Sequence, residues 1–159
     1  MSLIGIYTQS ANEPYLKQKL TAMLPENQIF FLKENSIQNL TNIKFSIILI
    51  GKKMAKNNTE FKAIIEKSDY LIFNTDIKEN MELLENLTLN LITYGFNSKA
   101  TITTSSVEEQ KMLICLQRGI KNLQGGIIEP QEIEIQTNQE VNSYALMEFI
   151  SLKVLLGNN

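Results

Sequence analysis

The stretch Asp69–Gly95, DYLIFNTDIKENMELLENLTLNLITYG, allows few folds. Tyr70–Phe73 is a short apolar run that breaks into Asn74, Thr75 and Asp76. Asp76 is placed to cap a following helix. Glu79, three residues on, completes a capping box, in which each acidic side chain takes an orphan N–H. Leu83, Leu84 and Leu87 give that helix one apolar face. Leu89–Tyr94 then reads as a second strand, stopped by Gly95. Two strands joined by a packed helix run parallel, because the helix carries the chain back to the starting edge. The stretch predicts the seed of a parallel α/β sheet.

The residues before it repeat this grammar. Leu3–Tyr7 predicts a strand, and Thr8–Asn12 a polar loop. Pro14 suits the first turn of a helix, where a missing N–H costs nothing. Leu16, Leu20, Met23 and Leu24 mark its buried side, and Pro25 ends it. Gln28–Lys33 predicts a second strand, and Ser36–Ile43 reads either as a short helix or as a loop. Phe45–Ile50, FSIILI, is apolar throughout, as a strand covered on both faces should be. Gly51 ends it. The loop beyond carries Lys52, Lys53 and Lys56, and Asn57 or Asn58 can cap a helix with Phe61, Ile64 and Ile65 inside.

After Gly95 the pattern changes. Thr101–Thr104, Lys111–Gln117 and Glu132–Gln136 predict strands, with Gly126–Ile128 a possible short one. Ser105–Gln110 and Gln117–Leu123 read as polar, turn-like links. They are too short for crossover helices, so these strands are expected to be antiparallel. The alternation of Glu132–Gln136 argues for one wet face. A closing helix is expected from about Gln139 to Leu156, with Ala145, Phe149, Leu152 and Leu156 at helical spacing and Gly157 as its stop. The expectation is one domain over residues 1–159: a parallel Rossmann-like sheet with helices on both faces (about 1–96), a small antiparallel β extension (about 97–137) and a C-terminal helix (about 139–157).

Composition narrows the chemistry. The chain has no histidine, which removes Ser-His-Asp and Cys-His catalysis and every histidine-based metal site. The net charge of −2 gives no electrostatic case for nucleic acid or an anionic membrane. No apolar run reaches the roughly 18 residues of a membrane span, and the N-terminus lacks signal-peptide features, so a cytoplasmic setting is expected. The single cysteine, Cys115, sits in an apolar run and reads as a buried, inert thiol.

Three stretches carry a family likeness: LIFNTD (Leu71–Asp76) before a helix; LITYGFN (Leu91–Asn97) with Lys99-Ala100-Thr101; and VNSYALMEFISLKVLLG (Val141–Gly157). In this order the chain resembles the central, ATP-binding domain of the Mur ligases, the amino-acid ligases of peptidoglycan synthesis, most closely over Asp69–Asn159. The resemblance implies a P-loop-like fold. It also places the phosphate-binding loop of the family, Gly-x-Asn-Gly-Lys-Thr/Ser, after Ile4-Gly5-Ile6. Here that loop reads Thr8-Gln9-Ser10-Ala11-Asn12-Glu13-Pro14. Ala11 replaces the glycine and Asn12 the lysine that would meet the β/γ-phosphates. Glu13 sets a negative charge where phosphate would lie, and Pro14 deletes an N–H. The family's histidine-bearing segment has no counterpart either, so no catalytic residue, metal or cofactor carries over.

The resemblance therefore implies a catalytically dead Mur-ligase-like domain. It would serve as a binding or interaction module tied to cell-wall metabolism, with a protein partner or a second copy docking on the antiparallel extension and final helix. Two alternatives stand beside it: a small-ligand or nucleotide-binding protein using the C-terminal strand ends, and an enzyme subunit completed by a partner chain. The candidate ligand residues are Thr8, Gln9, Ser10 and Asn12 on the first loop, Lys52 on the next, and Asn74 and Asp76 at the end of their strand. For each a plain reading competes: a relic loop, a solvated loop, a helix cap and turn. Tyr94 and Phe96 read as core or rim packing, and Glu108 with Glu109 as an exposed hairpin end.

Overall fold

The computed structural model of the chain describes residues 2–55, 58–108, 110–137 and 141–157, without the side chains of Leu83, Ser106 and Val107. Ten strands and three α-helices are among them. They are β1 (Ile4–Tyr7), α1 (Glu13–Thr21), β2 (Ile29–Phe31), β3 (Ile47–Ile50), α2 (Thr59–Lys67), β4 (Tyr70–Asn74) and β5 (Asn90–Tyr94). Then come β6 (Ile102–Glu108), β7 (Lys111–Leu116), β8 (Ile120–Lys121), β9 (Ile127–Ile128), β10 (Gln131–Gln136) and α3 (Ser143–Leu156).

Eight strands form one sheet in the order β10-β7-β6-β5-β4-β3-β1-β2. The strands from β2 to β6 run parallel, and β6, β7 and β10 pair antiparallel. This is the expected Rossmann-like α/β sheet with an antiparallel extension and a closing helix. The order β2-β1-β3-β4-β5 is a doubly wound one, with its reversal at β1.

Period-2 alternation assigns the side chains to two cores. Ile4, Ile6, Ile47, Leu49 and Ile72 face α1 and α3, where Leu16, Leu20, Leu146 and Ile150 close the layer. Tyr7, Ile48, Ile50, Leu71 and Phe73 face α2, against Phe61, Ile64 and Ile65. Burying each such aliphatic side chain is worth about 1.5–3 kcal/mol. Helices therefore cover both faces, and the central strands are apolar on both. The α3 helix is buried on nearly every side, because sheet, α1 and β8 all pack on it.

Several expectations change. The segment after β4 is a 3-10 helix, Lys78–Leu84, with no side-chain cap. Asp76 does not cap it, because its carboxylate is held from the other side by Phe96 and Tyr144. Leu84 and Leu87 still pack on the α2-side core. The second strand is shorter than expected, since Glu26–Gln28 is a 3-10 turn. Ile37–Leu40 is also a 3-10 turn, which resolves the ambiguous Ser36–Ile43.

Ser105–Gln110 is not a link. It continues β6 as far as Glu108, past a register shift between Thr104 and Ser106. One extra residue lets a polar stretch stay paired. The Gln117–Leu123 link contains β8, which pairs with β9 in a separate two-stranded sheet. The expected antiparallel pairing holds among β6, β7 and β10, and β6 in addition meets β5 in parallel through the single pair Tyr94↔Ile102. Asn58 caps α2, accepting from the Phe61 N–H. In α3 the cap is Asn142, and Gly157 ends the helix in the left-handed conformation. Lys56, Asn57, Glu109 and Gln139, named above, lie outside the described residues. No helix among the described residues is long and apolar enough to cross a membrane.

Candidate functional site

The carboxyl ends of parallel strands are where open α/β sheets bind ligands. Here that edge is occupied by a side chain of the protein itself. Glu148, at the middle of α3, is fully buried and points at the ends of β1, β3 and β5. The Thr8 hydroxyl reaches its two carboxylate oxygens at 2.9 and 3.0 Å. The Tyr94 hydroxyl donates to Oε2 at 2.6 Å, and the Asn12 amide to Oε1 at 3.4 Å. No lysine, arginine or metal-binding cluster accompanies it among the described residues.

A carboxylate removed from water without a cation favours its neutral form. Burial pushes Glu148 up to about 7, opposed by the hydrogen bonds from Tyr94, Thr8 and Asn12. Burial also raises Tyr94 well above the phenol range, helped by the charge of Glu148 and by its hydrogen bond; an Asn74 hydrogen bond acts the other way. The Asn12 Oδ1 is buried without a partner. The site can hold a proton near neutral pH, but it leaves no room for a substrate. A Cβ on Gly51 would stand 2.5 Å from Glu148 Oε2, 2.7 Å from the Tyr94 hydroxyl and 2.8 Å from the Thr8 hydroxyl.

No family model and no curated protein matches this chain.

Of the candidate residues read from the sequence, Thr8, Asn12 and Asn74 come together around Glu148 and Tyr94. Asp76 forms a neighbouring clamp. Its Oδ2 accepts from the Phe96 N–H and from the Tyr144 hydroxyl, each at 2.8 Å, and its Oδ1 from the Asn97 amide at 3.2 Å. The Phe96 and Tyr144 rings meet edge to face at 5.1 Å. Burial, then Asp76, pushes the Tyr144 hydroxyl up to about 12. Gly95 sits inside the clamp at φ 153°, where a Cβ would lie 2.9 Å from Asp76 Oδ1.

The remaining candidates part from this group. Ser10 is exposed. Gln9 and Lys52 line a cleft of about 550 Å³ on the Tyr7 side of β1. Glu13 answers Lys33 at 2.5 Å, so the first turn of α1 is paired within the chain. A hollow of about 480 Å³ at the opposite edge of the sheet, lined by Glu66, Asp69 and Asn90, touches none of these groups.

The residue that sequence reasoning missed is Glu148. One signal for it exists: it is a lone acid among Leu146, Met147, Phe149 and Ile150. An acid in such a run must be neutral, paired or hydrogen-bonded.

Proposed function

We propose that this chain is a non-catalytic domain of Mur-ligase-like build that works by binding rather than by phosphoryl transfer. The supporting observation is Glu148. Its carboxylate fills the strand-end position towards which a phosphate loop would turn, and Thr8 and Asn12 donate to it. A nucleotide phosphate there would meet a buried carboxyl group instead of a lysine, with no positive charge to hold it and with repulsion once Glu148 ionises. The lysine and glycines that such chemistry needs are missing from the loop sequence. A use in cell-wall metabolism rests on the likeness of sequence alone.

The test combines turnover with position. The protein is incubated with Mg²⁺ and ATP or GTP, phosphate release is measured, and backbone amide shifts of residues 10–13 are followed by NMR. No release and unmoved amides at 10–13 are expected. Turnover, or a saturable nucleotide response at 10–13, overturns the reading.

A further inference from the structure

Tyr7 and Thr8 are consecutive residues of an extended segment, so their side chains leave on opposite sides. Thr8 goes to Glu148. Tyr7 goes to a cleft bounded by Gln9 after β1, by Lys33, Glu34 and Asn35 after β2, and by Lys52 and Lys53 after β3. These loops follow the carboxyl ends of three adjacent strands, and β1, in the middle, is where the strand order reverses. That is the position at which doubly wound sheets open a crevice. The volume, about 550 Å³, lies within the range of small-molecule sites, roughly 300–1,000 Å³.

The lining inverts the charge of the chain. The protein carries −2 overall, yet the cleft gathers three ammonium groups and one carboxylate. Lys33 is already held by Glu13. Lys52 and Lys53 have no carboxylate partner among the described residues. Lys52 lies over the Tyr7 ring, 4.7 Å from its centre, which holds the ammonium at the wall of the cleft. Glu34 receives the Tyr7 hydroxyl on Oε1 at 2.7 Å and keeps its second oxygen without a hydrogen bond among the described residues.

We propose that this cleft binds a small organic anion, with Lys52 and Lys53 holding the charge and Glu34 accepting from a neutral hydroxyl of the same ligand. With Lys33 paired to Glu13, Lys52 and Lys53 against the single carboxylate of Glu34 leave the cleft net positive, which calls for an anion. The net charge of −2 gives no electrostatic case for a nucleic acid. Lysines are point charges without the planar fork of arginine, so they suit a phosphate monoester and a dicarboxylate alike. The volume and Glu34 call for a ligand larger than a bare ion. This inference stands on the cleft alone and does not depend on the Mur-ligase-like reading.

The probes are glucose 6-phosphate, inorganic phosphate, succinate and, as the neutral control, glucose. Each is titrated into the full ¹⁵N-labelled chain at constant ionic strength set with sodium chloride. Saturable amide shifts at residues 33–35 and 52–53 are expected with glucose 6-phosphate or succinate, and the tighter of the two identifies the source of the anion. Glucose should give none, and inorganic phosphate should bind several-fold more weakly than the tighter organic anion. The double variant Lys52→Gln, Lys53→Gln, with an unchanged amide spectrum elsewhere, should lose at least tenfold in affinity. Shifts no different from those of chloride, or binding that survives the double variant, overturn the proposal. Glu13 pairs with Lys33, so the double variant tells the two apart: it abolishes cleft binding but leaves any nucleotide response at residues 10–13 in place, and this proposal and the closed-edge reading can fail separately.

Discussion

The Tyr94 hydroxyl meets a Glu148 carboxylate oxygen at 2.6 Å across 54 residues of sequence, and both side chains are fully buried. The bond joins the last residue of the fifth strand to the middle of the closing helix. It fixes α3 over the strand ends at a point where hydrophobic packing alone would tolerate sliding. Because the pair has no cation, its stability depends on pH.

Glu148 has its pKa raised from the ordinary 4.5 to about 7. The folded chain therefore holds its proton more tightly than the unfolded one. Its contribution is fully present below the unfolded value, falls as pH rises through the interval from about 4.5 to about 7, and then levels off. The whole change is roughly 3 kcal/mol. Urea unfolding of the wild type and Glu148→Gln across this interval should give a stability difference that moves in favour of the variant as pH rises. Parallel curves would mean that the Glu148 carboxyl titrates alike in the folded and unfolded chains. Tyr94→Phe removes a hydrogen bond that lowers the carboxyl pKa, so the fall should begin at the same pH, reach to higher pH and grow larger.

Gly51→Ala should destabilise the fold by about 1–3 kcal/mol, the usual range for overpacking a filled site. The new methyl would strike Glu148, Tyr94 and Thr8. In a Glu148→Ala background the closest of the three contacts is gone, and Tyr94 and Thr8 gain space to move aside. The cost should shrink and the two substitutions should be non-additive. Equal costs in both backgrounds would show that the backbone at Gly51 yields instead.

Asp76→Asn should lower the Tyr144 pKa from about 12, since both causes after burial, a hydrogen bond and a charge, come from this carboxylate. Tyrosine titration by absorbance or NMR reads this directly. The Phe96 amide should also lose protection from hydrogen exchange, because its acceptor changes from a charged to a neutral oxygen. An unmoved Tyr144 would leave burial as the whole cause.

Asn58→Ala removes the side-chain acceptor of the Phe61 N–H at the start of α2. A loss of about 1 kcal/mol is expected from chemical denaturation, with an unchanged denaturant slope. Aspartate at this position should keep most of the stability, since it can accept the same bond.

Much of the fold was legible because its signals are local. The central strands are apolar on both faces, as Phe45–Ile50 advertises, and such runs fit only the middle of a parallel layer. Pro14, Asn58 and Gly157 mark helix ends by their own conformational limits. The errors came where a residue had two possible partners. Asp76 has the chemistry of a cap, but Phe96 and Tyr144, 20 and 68 residues away, compete for it and win. Ser105–Gln110 has turn composition, yet pairing with β7 carries it into a strand.

The candidate site was legible in part. Thr8, Asn12 and Asn74 were singled out for lying at strand ends, and they do gather there. Gln9 and Lys52 went elsewhere because strand alternation sends neighbouring residues to opposite faces. The sequence by itself determined the two periodicities, the caps and the loss of the lysine and glycines from the first loop, since these depend on neighbouring residues. Only the tertiary structure decided that Glu148 closes the strand ends and that Lys52 joins Lys53 and Lys33 in a separate cleft. Those outcomes depend on which distant groups share a small dry volume or one wet crevice, and the strand order, which no local pattern encodes, sets both.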